Sequence, residues 1–495
     1  MPAKSIPAKL LLAPAAIALV AALAATAPAQ RAYQQDEIDK SLRTGGLAAK
    51  RYAQQPGSDP AEEQRFRDYF QKYYFPAMTQ SSPEALEDLG EMRYRLFRDF
   101  ISSASGAKRQ FLLRAALQFA AKVYQANYHP AVRYNGLLIL GMLDEQPASG
   151  DNPAKPMAQA NQALCQIAKR ATADGRRPRY ELAGALVGLQ RHARSVRQLP
   201  RDRMVDTAKT LHSVLTAEDL PGQYEPGVKA ELFIQAATAL ANLQVAGGGG
   251  VFPKAIAQRA ADEQLSLEAR AEIASQLSRI PMQEGQFDGA SIGQAVRDLA
   301  VAIVRREADY ANRFEEMNSF GMGRGMPASR DAFSKRLEVD EQGEVTLRLG
   351  GLIDLLVEIK AAAEAAQPVA PEAERAGLTE IAAAVTDAIR VAADEGSVSL
   401  DVTDAIKRMA SRVEAVAAEA DAARAAAEAA AAEAAEAAAA AAAETPPSDA
   451  PGAEAPAEEA PSPAAPPAAD DAPAAAEPAP PAAQPPAAQP PAEAQ

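Results

Sequence analysis

The sequence predicts an all-α protein in which antiparallel helix pairs stack side by side. Three observations carry that expectation. Apolar residues fall at helical spacing through most of the middle of the chain, several of the runs being opened by proline. The runs come in neighbouring pairs, and short connections between them make antiparallel neighbours. Composition agrees, with 48% hydrophobic residues but only 5% aromatic and no Trp, because alanine dominates the apolar count.

The clearest unit covers 129–143. Pro130 suits the first turn of a helix, where its missing N–H costs nothing and its φ is already helical. Val132, Leu137, Leu140 and Leu143 form an apolar stripe that Ile139 widens, so one side must be buried. Gly136 and Gly141 each cost about 1 kcal/mol of helix propensity. Close approach of a neighbouring helix is the expected compensation. An apolar helix over 111–121 precedes this unit, joined through Asn127-Tyr128-His129. Echoes follow at Pro178-Arg179-Tyr180-Glu181-Leu182, at Pro226-Gly227-Val228-Lys229 and at Leu267-Glu268-Ala269-Arg270. Each has a helical partner ahead of it, over 157–171, 203–215 and 254–264.

Arg133, Arg179, Lys229 and Arg270 recur at roughly the 40–47-residue period of HEAT and armadillo units. One such pair cannot bury its own apolar face, so pairs stack. Over about 85–280 the chain therefore resembles the HEAT-like α-solenoid family, with uneven spacing and Ala or Gly where Leu is usual. The resemblance implies a scaffold that binds partners, without naming the partner.

The N-terminus reads as an export signal over 1–29. Lys4 and Lys9 precede an apolar run from Leu10 to Ala25, and Ala27-Pro28-Ala29 offers small residues for cleavage before Gln30. The run is short of the about 20 residues a spanning helix needs, and no later stretch is apolar enough to span. The mature chain is expected in the periplasm or outside the cell, without a stable membrane span. Residues 30–60 are polar, broken by Gly45-Gly46 and Pro56-Gly57, and read as a short helix or a flexible lead-in. Within 61–75, Phe66, Phe70 and Tyr73 share a helix face that Tyr69 and Tyr74 widen. The favoured reading is a helix capping the first repeat; the sharper one is an aromatic partner patch.

The repeat domain is expected over 61–318, followed by a Gly-rich linker over 319–336. A small helical subdomain over 337–416 comes next, with a hairpin candidate where 337–339 and 345–349 alternate around Asp340-Glu341-Gln342-Gly343. Val402, Ile406, Met409, Val413 and Val416 step as a coiled-coil stripe. Docking onto the helices at Leu352 and Leu378 is expected over self-association, since local closure costs less entropy. An Ala/Glu-rich helix over 417–444 and a disordered Pro/Ala/acidic tail over 445–495 complete the chain. The acids beyond Arg424 carry most of the formal charge of −14, so the low pI describes the tail.

Catalytic chemistry finds little support. Gly289-Ala290-Ser291-Ile292-Gly293 matches a nucleophile elbow, but no strand precedes it. His129, His192 and His212, the chain's 3 histidines, all lie upstream of that serine, and a helix N-cap explains the segment better. The histidines are too scattered for a metal site. Gly247-Gly248-Gly249-Gly250 lacks the lysine of a phosphate loop and reads as a flexible inter-repeat loop. No cofactor is expected. The single Cys165 reads as a packed small hydrophobe.

One electrostatic feature remains. Arg176, Arg177 and Arg179 precede a helix whose far end carries Arg191, Arg194 and Arg197. The simpler reading is solvated surface and dipole complement. The sharper one is an anion-binding ridge for a protein partner or an anionic envelope polymer. Interleaved aromatics are few, so nucleic acid is not an expected partner. The sequence thus points to an exported, non-catalytic scaffold for protein–protein interaction. Its rivals are an envelope-organising protein acting through its C-terminal coil and tail, and an enzyme with a site in a helical cleft.

Overall fold

The computed structural model describes residues 32–57, 59–220, 224–319, 333, 336–339, 345–394 and 397–443. The predicted export signal, most of the Gly-rich linker, the turn of the predicted hairpin and the acidic tail lie outside them. The protein is all-α, with two small strand pairs among the described residues. Its principal helices are α1 (Gly46–Gln54), α2 (Pro60–Asp68), α3 (Leu89–Arg95), α4 (Gly106–Gln125), α5 (Pro130–Met142), α6 (Ala158–Ala173), α7 (Arg179–Ala193) and α8 (Arg201–Leu215). They continue with α9 (Pro226–Ala241), α10 (Val251–Ala260), α11 (Leu267–Ser275), α12 (Ala290–Ser319), α13 (Gly350–Ala366), α14 (Glu372–Ala392) and α15 (Ser399–Ala443). Packing divides the chain after Ala429. In the second unit the described residues belong to α15, and 430–438 are exposed.

Helix starts follow local chemistry. Pro130 occupies the first turn of α5, and the His129 ring nitrogen accepts from the Ala131 N–H at 3.2 Å. Ser266 caps α11 through the Ala269 N–H at 3.3 Å. Consecutive helices pair, α4 with α5, α6 with α7, α8 with α9, α10 with α11 and α12 with α13. Between pairs, α6 meets α8, α8 meets α10 and α10 meets α12. The alternate helices do the same: α5 packs on α7, α7 on α9, α9 on α11 and α11 on α13.

Four glycines of α5 and α7, Gly136, Gly141, Gly184 and Gly188, sit where two helices come close. A Cβ on Gly141 of α5 would fall 2.5 Å from the Cα of Gly188 on α7. One on Gly184 would meet Leu137, and one on Gly136 would meet Val123 of α4. The propensity lost at these positions is offset by backbone approach.

Of the two readings of the lead-in, residues 32–54 take the short helix, α1, and are held to the fold where flexibility was the alternative. The Gln34 N–H donates to the Asn127 carbonyl at 2.8 Å, and the Asp36 N–H to Thr79 Oγ1 at 2.8 Å. Asp36 also holds Lys122 and the Tyr128 hydroxyl, both at 2.7 Å. Ala49, Tyr52 and Ala53 of α1 are buried. A polar stretch is ordered here because its backbone groups find partners on the helices beneath it.

The aromatic run is core rather than a partner patch, which overturns the sharper of its two readings. After α2 the helix widens into a π-turn, Tyr69–Tyr74. Phe66, Tyr69, Phe70 and Tyr74 are buried, and Tyr73 packs partly buried against them. Phe100 meets the rings of Tyr69, Phe70 and Tyr74, and Phe75 stacks on Phe119 at 4.9 Å. The Tyr74 hydroxyl donates to the Met92 carbonyl at 2.6 Å, so its polar end is satisfied inside.

Two antiparallel strand pairs lie among the described residues. The first pairs β1 (Asp144–Gln146) with β2 (Lys155–Pro156), a feature with no sequence expectation. The second pairs β3 (Leu337–Val339) with β4 (Val345–Leu347) in antiparallel register, Leu337 opposite Leu347. Its Leu337 and Val345 pack on Phe314 of α12, and Arg336 bonds the buried Glu307 at 2.9 Å. On α15, Val402, Ile406, Met409 and Val413 are buried. Ion pairs Lys407–Glu315, Arg305–Glu414 and Arg412–Glu380 fix that stretch to α12 and α14. The stripe is thus covered within the chain.

His192 ends α7 fully buried. Burial, and then the adjacent Arg191 cation, push its imidazole down to about 3. In the unfolded chain it titrates near its ordinary value of about 6.5. Below that pH the unfolded state takes a proton that the folded state refuses, so stability falls as pH drops from about 6.5 toward 3. His192→Leu, a near match in size, is expected to recover about 2 kcal/mol of the loss between pH 7.5 and pH 5. Urea midpoints at the two pH values measure this, and parallel losses in both proteins would remove His192 as the cause.

Candidate functional site

Three exposed valines, Val205, Val245 and Val251, come together around α8. Its buried face carries Thr207, Leu211, Val214 and Leu215. Met204, Val205 and Ala208 form an adjoining stripe one step round the helix, with Lys209 and His212 beside it. Across from them the chain leaves α9 through Leu243 and Val245 and enters α10 at Val251 and Phe252. A groove of about 480 Å³ lies between. Val205, Val245 and Val251 are 46%, 42% and 38% exposed.

The four-glycine run shapes this groove and replaces the flexible loop expected there. Gly247, Gly249 and Gly250 all have φ between 63° and 73°, a region that only glycine enters without strain. At Gly250 a side chain would also run into the ring of Phe287. The Phe252 N–H donates back to the Ala246 carbonyl at 3.1 Å, closing the turn that presents Val251.

Arg197 and Lys209 are the charged residues of the lining, and neither has a carboxylate partner. His212 lies tilted at 54° to Phe252, 6.0 Å between ring centres. The groove lining includes no Ser, Cys, Asp or Glu. Its chemistry is therefore that of a cationic-rimmed apolar docking surface.

The basic ridge does not exist as one surface. Arg176 and Arg177 stand before the first turn of α7, whereas Arg191 lies in its last turn, about 20 Å away along the axis. At the first end Arg177 reaches Asp174 and approaches Glu181, and Arg179 lies over the Tyr224 ring at 5.7 Å. At the second end Arg191 pairs with Asp144 and donates to the Gly141 carbonyl at 3.0 Å. Arg194 and Arg197 are exposed, and only Arg197 lines the groove. Several other arginines work as Arg191 does. Arg133 donates to the Tyr124 carbonyl, Arg270 to that of Ala260, and Arg259 to those of Leu215 and Ala217. Each places a cation on the last carbonyls of a neighbouring helix, where the macrodipole is negative.

The remaining motifs resolve locally. Asp288 caps α12 through the Ala290 N–H at 3.0 Å, and Ser291 is exposed on the first turn. Cys165 is fully buried, and burial pushes its thiol up. Among the described residues no group of three His, Cys, Asp or Glu side chains is placed to hold a metal. No described helix is long and apolar enough to cross a membrane. The chain matches no protein-family model, no curated protein and no solved structure.

Proposed function

We propose that this chain is an exported, non-catalytic scaffold that docks an acidic amphipathic segment of a partner protein in the α8–α10 groove. The single observation that carries the reading is the groove's composition, open valines edged by two unpaired cations with no carboxylate among them. An apolar face with acidic flanks complements that surface, and helix-in-groove binding is the common mode for it. The order of helix contacts supports a HEAT-like solenoid as the scaffold, each pair meeting the next through like helices. Export rests on the N-terminal apolar run behind Lys4 and Lys9.

A labelled model peptide of Leu and Glu at helical spacing tests the docking, against a counterpart with Lys in place of Glu. The acidic peptide is expected to bind at least about tenfold more tightly, weakening with salt. Val205→Asp, at a position half open to solvent, is expected to abolish binding while leaving the melting temperature within about 2 °C. Equal binding of the two peptides, or unchanged binding to Val205→Asp, would rule the groove out.

A further inference from the structure

Beyond the stretch of α15 that is fixed to α12 and α14, the helix carries an acidic edge and an uncovered alanine face. Residues 425–438 are alanine throughout except for Glu428, Glu433 and Glu436, and every one of them is exposed. At 3.6 residues per turn the three glutamates fall within about 140° of the circumference, and the remaining about 220° is alanine alone. Arg424, the last cation in the sequence, pairs with Asp421 at 3.4 Å, so no later residue balances the glutamates. Alanine has the highest helix propensity, which keeps this stretch helical without a neighbour. Its short side chain also lets a facing surface approach closely.

The groove on α8 has the matching chemistry. Its valines are open, and Arg197 and Lys209 on its lining are exposed. The lengths agree as well: the 15 residues of α8 run about 22 Å, and 425–438 about 21 Å. Resting on the groove reading above, we propose that the acidic segment it docks is residues 425–438 of a second copy of this chain. The alanine face lies on Val205, Val245 and Val251, and the glutamates at its edge reach Arg197 and Lys209. Groove and helix are different surfaces, so the contact is head-to-tail, and copies join into rings or open chains. Alanine buries less apolar area than leucine, which makes the association weak and reversible, with charge deciding the partner.

Sedimentation equilibrium on the full chain tests this. The mean mass is expected to rise with concentration above that of one chain, and to fall back in high salt. Glu428→Lys, Glu433→Lys and Glu436→Lys made together keep helix propensity and are expected to leave a monomer. Arg197→Glu with Lys209→Glu is expected to do the same, and all five positions are exposed, so the fold is spared. Mixed in equal amounts, the two variants present opposite charges across every contact and are expected to associate with each other again. A wild-type chain that stays a monomer, association unchanged by the three lysines, or a mixture that does not associate would each overturn the proposal. The groove reading fails separately. If the acidic Leu and Glu peptide binds a wild-type chain that stays a monomer, the groove stands and the second copy is removed as its occupant; if that peptide does not bind either, both fall.

Discussion

Glu181→Ala is expected to lower the free energy of unfolding by about 3–5 kcal/mol, the cost of breaking a buried ion pair from one side. Glu181 lies in the first turn of α7 with no exposed surface. Its carboxylate accepts from Arg133 Nη2 of α5 at 2.9 Å and from the Tyr124 hydroxyl of α4 at 3.2 Å. Arg133 also donates to the Tyr124 carbonyl and lies against the rings of Tyr124 and Tyr180. Removing the carboxylate strands a guanidinium that is mostly covered and a hydroxyl that is buried. Glu181→Gln retains the size and one acceptor and should cost less than the alanine change. Denaturant titration measures both, and a loss under about 1 kcal/mol for Glu181→Ala would mean that water replaces the pair freely.

Gly141→Ala should destabilise by about 1–3 kcal/mol or more, although alanine in a helix interior ordinarily gains about 1 kcal/mol over glycine. The sign is decided by what the new methyl meets. At Gly141 it meets the backbone of Gly188, which cannot rotate aside, so α5 and α7 must part. At Gly184 the obstacle is the Leu137 side chain, and at Gly136 it is chiefly Val123 Cγ2. Side chains move more cheaply than backbone, so Gly136→Ala should cost less than Gly141→Ala. A reversed order in measured melting temperatures would show that the crossing is looser than its geometry.

These two results probe what was most legible in the sequence. Pro130 marked a helix start, and Gly136 and Gly141 marked a crossing, because proline and glycine act through local backbone rules that need no knowledge of the partner. The stripe of Val402, Ile406, Met409 and Val413 signalled burial, and α12 and α14 cover it. Charge was legible in position only. Arg133, Arg179, Lys229 and Arg270 have a spacing that sequence displays, but whether each meets a carboxylate, a carbonyl or a ring depends on the next helix over. The aromatic run from Phe66 to Tyr74 shows the same limit, since burial and exposure look alike in a pattern of rings. The groove on α8 was missed because Met204, Val205 and Ala208 adjoin the core stripe and merge with it in one dimension. Its far wall comes from Val245 and Val251, which flank four glycines that carry no periodic signal.

Cys165 gives the fold its own clock. The chain has 1 cysteine, fully covered, its sulfur 3.7 Å from Thr207 Oγ1 at the packing of α6 on α8. A thiol reagent added to the native protein can react only when that packing opens, and burial keeps the closed form poor in thiolate. The labelling rate therefore reports the opening equilibrium of one interior joint, free of signal from any other sulfur. Followed through rising urea, it separates two regimes. A denaturant dependence as steep as that of global unfolding means that the helix pairs open together, and a shallow one means that the joint between α6 and α8 parts while its neighbours hold.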